Sequence, residues 1–289
     1  MDMDCIAADT PAEDIVAALP YMAAYSGKTI VVKYGGNAMT TRELKETVMG
    51  DIILLARVGI KVALVHGGGP EITNMLARLG MESRFINGLR YTDADTIDVV
   101  QMMLAGKTNK DLVALIGLLG GKAMGMCGID GRMLQVRKLA SDPDLGYVGE
   151  IVHVEAEPII TVLSSGYIPV IATVGVDYAG AAYNINADTA ASEIAVALGA
   201  ESMITLTDTR GVMNDVNDPN SIIPSVRVDE VAGLIARGVV SGGMIPKVQS
   251  CESAVRGGVA KAVMIDGRMP HSILLEMFSD EGIGTMFIK

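Results

Sequence analysis

Long apolar runs are missing from this chain, and so are the residue clusters that build metal or disulfide frameworks. Half of its 289 residues are hydrophobic, yet no uninterrupted apolar stretch approaches the roughly 18 residues that a membrane-spanning helix needs. The apolar content therefore belongs to a core and to subunit contacts, which a chain of this length can build as one large α/β domain or two lobes. Three cysteines occur, Cys5, Cys127 and Cys251. An odd number at wide spacing argues against a disulfide framework and fits a reducing compartment. The three histidines stand apart from one another and from cysteine, which leaves no zinc site. Basic charge is also short: 23 Lys and Arg face 34 Asp and Glu, for a formal net charge of −11. That balance disfavours nucleic acid as a partner. The first residues, Met1-Asp2-Met3-Asp4, are acidic where a secretory signal would be basic, so a cytoplasmic location without a membrane partner is expected.

The common phosphate-binding motifs are absent too. Gly27-Lys28-Thr29 and Gly106-Lys107-Thr108 match the tail of a Walker A loop, but Met22 and Gln101 stand where its first glycine belongs. The dinucleotide fingerprint fails at Gly67-Gly68-Gly69, because Ile72 occupies its last position. An H-R-D loop and a D-F-G triplet, which a protein kinase would carry, do not occur.

What is present is another set of polar loops. Lys33-Tyr34-Gly35-Gly36-Asn37 follows the β-branched run Thr29 to Val32, and His66-Gly67-Gly68-Gly69-Pro70 follows Lys61 to Val65. Both read as strand-to-loop junctions opening toward a helix, which aim backbone N–H groups at an anion above the sheet. Far downstream, Tyr183-Asn184-Ile185-Asn186-Ala187-Asp188 runs into a helical stretch, Thr189 to Leu198. Taken singly, each feature has an ordinary explanation. A Gly-Gly loop is a tight turn, Lys33 a strand-end charge, Lys247 a helix-face charge, and Arg90 a surface ion-pair residue. Asn184, Asn186 and Asp188 could simply cap a helix, and His66 reads as a satisfied structural histidine. The 19 methionines read as core filler. Together the loops describe a phosphoryl-transfer site.

Strand and helix patterns alternate along the chain, as a largely parallel sheet covered on both faces would require. Strands are expected at Thr29 to Lys33, Lys61 to His66, Ile168 to Val174, Met203 to Thr207 and Ala262 to Asp266. Helices are expected at Arg42 to Val58, Glu71 to Leu79, Ala94 to Leu104, Lys107 to Leu118 and Glu157 to Ser165. Three more are expected at Thr189 to Leu198, Val228 to Arg237 and Ile245 to Arg256. Gly59, Gly80, Gly106 and Gly199 sit where helix C-termini call for a left-handed residue. Met124 to Val154, broken by Gly125, Gly128, Gly131 and Gly146, reads as hairpins capping one end of the sheet. Asn214 to Asn220 reads as a surface loop.

Several segments resemble, in order, the signatures of the acetylglutamate kinase family within the amino acid kinase superfamily. They are Val31 to Met39, Val65 to Ile72, Gly88-Leu89-Arg90-Tyr91-Thr92-Asp93, Asn184 to Asp188, Leu206 to Gly211 and Gly242-Gly243-Met244-Ile245-Pro246-Lys247. His271 to Glu276 and Gly282 to Met286 agree as well, so the likeness covers Gly27 to Met286. It implies a three-layer αβα sandwich around a largely parallel sheet, with two lobes: 27–179 for the acceptor and dimerisation, 180–289 for ATP. It also implies ATP-dependent phosphorylation of the side-chain carboxylate of N-acetyl-L-glutamate in arginine biosynthesis, with magnesium entering on the ATP phosphates. By the same resemblance, Lys33 and Lys247 flank the transferring phosphoryl group and Asp188 orients both lysines. Backbone N–H groups of Gly36 and Gly68 hold the equatorial oxygens of the transferring group, Gly35 joins Gly36 at the nucleotide, and Gly68 and Gly69 place N–H groups at the acceptor's reacting end. Arg90 and Asn184 bind the acceptor. Thr207, Asp208 and Gly211 lie along the nucleotide. A carboxylate nucleophile is already ionised at neutral pH, so no general base is needed.

The segment Thr10 to Ser26, counted with residues 1–26 as an extension, reads as a short amphipathic helix interrupted at Pro20. It resembles the extra helix of arginine-inhibited family members, which interlaces dimers into a hexamer. Tyr21, Glu276 and Gly282 then match the effector site for arginine. One departure is Val263, where histidine is common in the family; losing that polar contact weakens the expectation of inhibition without touching catalysis. Two other activities fit parts of the pattern. A sister kinase acting on an aminoadipate, glutamyl or carbamate group would be separated by a substrate panel. A non-catalytic sensor of arginine or of a nitrogen-regulatory protein would be expected to have lost Lys33, Asp188 or Lys247, and all three are present.

Overall fold

Aliphatic residues alternate along the central strands and divide the interior into two cores, one on each face of a sheet. The structure is a computed structural model that describes residues 12–39, 41–215, 218, 221–280 and 282–289. Cys5, the acidic Met1 to Asp4, Thr10 and Pro11 lie outside them, as do positions 216, 217, 219 and 220 of the expected 214–220 loop.

The first third of the chain holds α1 (Ala12–Tyr25), β1 (Thr29–Tyr34), α2 (Arg42–Arg57), β2 (Lys61–His66) and α3 (Gly69–Arg78). A small hairpin, β3 (Phe85–Ile86) and β4 (Leu89–Arg90), leads into α4 (Ala94–Gln101) and α5 (Asn109–Leu118). Next come β5 (Ala123–Cys127), β6 (Leu134–Lys138), β7 (Gly149–Val154), α6 (Glu157–Ser164), β8 (Ile168–Ala172), β9 (Val174–Val176) and β10 (Ala182–Asn184). The remainder is α7 (Ala187–Ala197), β11 (Ser202–Thr207), β12 (Ser225–Arg227), α8 (Val231–Ala236), α9 (Met244–Arg256), β13 (Lys261–Asp266), α10 (Ser272–Met277) and β14 (Thr285–Ile288).

Eight strands form the main sheet in the order β12-β14-β13-β11-β1-β2-β8-β5. From β13 to β5 every neighbouring pair is parallel; only β14 runs antiparallel to β13, with β12 parallel to β14. Parallel strands buried on both faces should be apolar throughout, and residues 30–34 of β1 and 62–66 of β2 are all buried. Ile30, Val32, Tyr34, Val62 and Leu64 enter the core shared with α2, α5 and α10. Val31, Ala63 and Val65 enter the opposite core, shared with α6, α7, α8 and α9. The period-2 alternation of strand side chains thus produces the three layers. A second sheet, β10-β9-β6-β7, stands beside the main one.

Five expectations need correction. Residues 94–118 form one continuous helical run rather than two helices, because Met102–Thr108 is a π-helical turn that joins α4 to α5. Gly106 lies inside that turn and does not adopt a left-handed conformation, whereas Gly59, Gly80 and Gly199 do. β5 is a parallel edge strand of the main sheet, not part of a capping hairpin. The expected strand at 168–174 breaks at Thr173, where β8 ends and the chain passes into β9 of the second sheet. Helix α8 is shorter than the pattern suggested and begins at Val231, after a turn at 228–230.

Candidate active site

The C-terminal ends of β1 and β2 lie side by side at the sheet centre, with Tyr34 paired to His66. The chain crosses from one side of β1 to the other between β2 and β11, the sort of switch point where open α/β sheets bind ligands. The loops leaving β1 and β2, the start of α3 and the start of α7 surround a cavity lined by Gly35, Gly36, Gly68, Gly69, Asn186 and Ala187. Packing here is tight. A Cβ on Gly68 would come within 2.7 Å of Leu104 Cδ2, so a larger residue there would push that side chain aside. Gly36 has φ +63°, a conformation that side chains disfavour. Helix α7 opens with Asn186 as its cap, whose Oδ1 accepts from the N–H groups of Asp188 at 2.9 Å and Thr189 at 3.1 Å. The unpaired N–H groups and the dipoles of two helix starts therefore favour an anion in this space.

Asp188 is the acidic side chain on the cavity wall, and it joins two lysines from distant parts of the chain. Its Oδ1 lies 2.9 Å from Lys33 Nζ, and its Oδ2 accepts from Lys247 Nζ at 3.0 Å. Side-chain exposure is 6% for Lys33, 7% for Asp188 and 24% for Lys247. Burial would raise the Asp188 carboxyl, but the paired lysines outweigh it and hold the group below the usual carboxylate range. Burial lowers the Lys33 ammonium below the ordinary lysine value; Asp188 opposes that shift and the neighbouring Lys247 adds to it. The Ser250 hydroxyl, on α9, donates to the Asp188 carbonyl and ties α9 to the start of α7.

Arg90 enters the cavity from β4. It is 6% exposed, and its guanidinium donates to the Gly69 carbonyl and to Thr73 Oγ1, both at 2.9 Å, and to the Ser83 hydroxyl. It lies 4.6 Å from the Phe85 ring centre. Among the described residues no acidic side chain pairs with it. Asn184 donates through Nδ2 to Thr92 Oγ1 at 3.2 Å, and Thr92 Oγ1 in turn donates to the Arg90 carbonyl at 2.9 Å. Ile72, Leu89, Leu104, Val148 and Ile185 supply an apolar wall between these polar groups. The cavity thus pairs a fixed cationic end with a two-lysine end across a short apolar span.

The other expected site residues lie elsewhere. Thr207 is buried at the end of β11, its hydroxyl donating to the Thr209 carbonyl at 2.7 Å. Asp208 follows it, half-buried beside Arg268. Gly211 has φ +152°, and a Cβ there would meet Thr285 Oγ1 at 2.5 Å, so its glycine has a packing reason of its own. None of these three lines the cavity. Tyr21 on α1 donates its hydroxyl to Asp280. Glu276 is 9% exposed; burial raises its carboxyl despite the Ile283 N–H that it accepts at 2.9 Å. A Cβ on Gly282 would sit 3.0 Å from Glu276 Oε2, so Tyr21, Glu276 and Gly282 belong to one neighbourhood away from the cavity. Val263 is buried within β13. His66 is fully buried and hydrogen-bonded, as its structural reading expected. Sequence reasoning missed Asn109 and Ser250, whose partners are remote in sequence and leave no local signal.

The amino acid kinase family profile matches residues 28–266. An acetylglutamate kinase of Clostridium beijerinckii is 57% identical over 276 residues, covering 95% of this chain and 97% of that protein. An acetylglutamate kinase of Brachyspira hyodysenteriae is 55% identical over 272 residues, covering 94% of both. Among solved structures, the N-acetylglutamate synthase of Neisseria gonorrhoeae, complexed with coenzyme A and N-acetyl-glutamate, superposes with a TM-score of 0.86. At 24% identity that likeness speaks for the fold; it covers 97% of this chain, which spans 64% of the synthase chain. On the profile and the identities together, this chain belongs to the amino acid kinase family, among its acetylglutamate kinases.

Proposed function

We propose that this chain transfers the γ-phosphoryl group of ATP to the side-chain carboxylate of N-acetyl-L-glutamate, in arginine biosynthesis. A carboxylate oxygen forms the new bond to phosphorus as the bond to the β-phosphate oxygen breaks, leaving an acyl phosphate and ADP. The observation that carries this is the cavity with two cationic ends: Arg90, buried with no acidic partner among the described residues, and the Lys33–Asp188–Lys247 triad. An acceptor with a carboxylate at each end of a short carbon chain satisfies both.

Arg90 forks onto the acceptor's α-carboxylate, a bidentate contact that lysine could not make. Asn184, with a donor and an acceptor, takes the acetamido group. The side-chain carboxylate then lies against the Gly68 and Gly69 N–H groups. Repulsion between this carboxylate and the triphosphate is the chief barrier, so catalysis is mainly positioning and charge neutralisation. Lys33 and Lys247 approach the transferring group from two sides, and the Gly35 and Gly36 loop holds its oxygens. Asp188 keeps both ammonium groups placed and supports the protonated form of Lys33. Magnesium bound to the β- and γ-phosphates would neutralise further charge. Asp188 is already committed to two lysines, which fits a metal held by phosphate oxygens and water rather than by a protein cage. The nucleotide extends from the cavity over Thr207, Asp208 and Gly211 in the 180–289 lobe.

Assembly and feedback complete the proposal. The enzyme is cytoplasmic, α1 links dimers into a hexamer, and arginine binds at Tyr21, Glu276 and Gly282, where a buried carboxylate suits its cation. The deciding experiment traps the acyl phosphate with hydroxylamine in the presence of ATP and magnesium. Hydroxamate should form with N-acetylglutamate and be at least tenfold slower with glutamate or aminoadipate. Equal turnover with either alternative acceptor would overturn the assignment.

A further inference from the structure

Behind the second glycine loop lies a buried polar network that the roles above do not use. His66 closes β2 and is fully buried. Its Nδ1 lies 2.9 Å from the Gly67 carbonyl oxygen, and its Nε2 lies 3.1 Å from Asn109 Nδ2. Asn109, also fully buried, opens α5 beyond the π-helical turn. Its Nδ2 donates to the carbonyl oxygens of Val170 at 2.8 Å and Met126 at 3.2 Å, and its Oδ1 accepts from Lys110 Nζ at 3.0 Å. The crowding is severe enough that a Cβ on Gly125 would fall 2.0 Å from Asn109 Oδ1.

These contacts determine where the imidazole proton sits. Carbonyl oxygens only accept and an ammonium only donates, so the Asn109 amide can face its partners one way round. Its nitrogen, which cannot accept, then faces His66 Nε2, so Nε2 carries no proton and shares the amide's two hydrogens with the Val170 and Met126 carbonyls. The single proton of the neutral ring therefore resides on Nδ1 and is donated to the Gly67 carbonyl. Burial holds the ring neutral, driving its pKa down to about 4; the Gly67 carbonyl opposes that shift and Lys110 adds to it. In a planar trans peptide the carbonyl and the following N–H point in opposite directions. Fastening the Gly67 carbonyl to His66 accordingly turns the Gly68 N–H away from the ring, toward the cavity that Gly68 lines. That N–H finds no acceptor among the described residues. Glycine at both positions gives this peptide a wide range of backbone conformations, and among the described residues, besides His66, only the Gly67 N–H bond to Tyr34 and the Ile72 N–H bond to Gly68 flank it.

We infer that His66, held in its Nδ1–H tautomer by Asn109, is a positioning residue that locks the Gly67–Gly68 peptide and aims the Gly68 N–H at the reacting group. This rests on the proposed function in one respect, that the acceptor carboxylate meets that N–H. Long-range ¹H–¹⁵N correlation spectra test the tautomer directly, since the chain has three histidines and loss of a signal in His66→Asn assigns it. The expected pattern is Nδ1–H, unchanged from pH 6 to 8; an Nε2–H pattern, or titration within that range, would overturn the inference. Kinetically, His66→Leu should lower kcat about tenfold or more while the KM for ATP stays within about twofold. His66→Asn, which keeps an N–H near the Nδ1 position, should recover most of that loss. Equal kcat in the two variants would overturn the positioning role, and the tautomer measurement decides the matter even if His66→Leu does not fold. Absence of hydroxamate from the wild type would instead refute the proposed function, leaving the tautomer result intact.

Discussion

Replacing Asp188 by Asn keeps the side chain's shape and removes the negative charge between two lysines. Solvent cannot take over the role, because the side chains of Asp188 and Lys33 are 7% and 6% exposed. Removing one partner of a buried ion pair typically costs about 3–5 kcal/mol. Lys33 can escape part of this by shedding its proton. From an ordinary pKa of about 10.4 that release costs about 4.6 kcal/mol at pH 7, and less here because burial has already lowered the group. A loss of about 3–4 kcal/mol is therefore expected, equivalent to a Tm drop on the order of ten degrees. The pH dependence has a definite sign on each side of neutrality. Lys33 has a folded pKa below its unfolded one, so between the two values the unfolded chain holds more protons and stability rises with pH. Without Asp188 to support the ammonium this rise is steeper, and the deficit should narrow from pH 7 to 10. In acid, the stabilisation that wild type draws from its depressed Asp188 is present above an unfolded value of about 3.9 and disappears as pH falls through the folded one. The deficit should narrow there too. Thermal unfolding followed by circular dichroism between pH 3 and 10 measures all of this, alongside hydroxamate formation. A deficit under about 1 kcal/mol at pH 7, or one that widens toward pH 10, would refute the electrostatic account of the triad.

Lys33→Ala and Lys247→Ala should each lower turnover by roughly a hundredfold or more with folding retained, since each lysine meets charge that grows during transfer; near-normal turnover in either would remove its assigned role. Arg90→Lys should raise the apparent KM for N-acetylglutamate about tenfold or more and leave that for ATP nearly unchanged. A shifted ATP dependence would instead assign Arg90 to the nucleotide. Deleting residues 1–25 should convert a hexamer into an active dimer and reduce any arginine inhibition, because Val16 and Leu19 on α1 are 62% and 52% exposed in the single chain and need a partner surface. Light scattering that finds a dimeric full-length protein, or an unchanged hexamer after deletion, would contradict this.

The elements that position the site were legible because their sequences obey simple periodicities. Residues 30–34 form an unbroken buried run, as a strand covered on both faces must, and Gly35-Gly36 marks its exit. Misreadings arose where a glycine does not end an element. Gly106 reads as a helix stop, but it lies inside the π-helical turn, with open space where a Cβ would stand. Gly125 looked like a hairpin break, yet it clears space for Asn109 beside an edge strand. The network around His66 was invisible for another reason. Asn109 meets His66, Met126 and Val170, all remote in sequence, and of its four partners only Lys110 is a neighbour along the chain.

The triad is also where the two halves of the chain become mechanically dependent on each other. Lys33 belongs to β1, whose neighbours are β2 from the first half and β11 from the second. Asp188 opens α7, which packs on β1 and on α9, and the Ser250 hydroxyl of α9 holds the Asp188 carbonyl. Lys247 is on the first turns of that same α9. A displacement of α9 relative to the sheet would therefore stretch the Lys247 bond first, because Lys33 and Asp188 are fixed by burial while Lys247 is 24% exposed. The placement of the second lysine therefore depends on the α7–α9 contact. Substitutions that loosen the α7–α9 contact should reduce kcat more than they reduce stability.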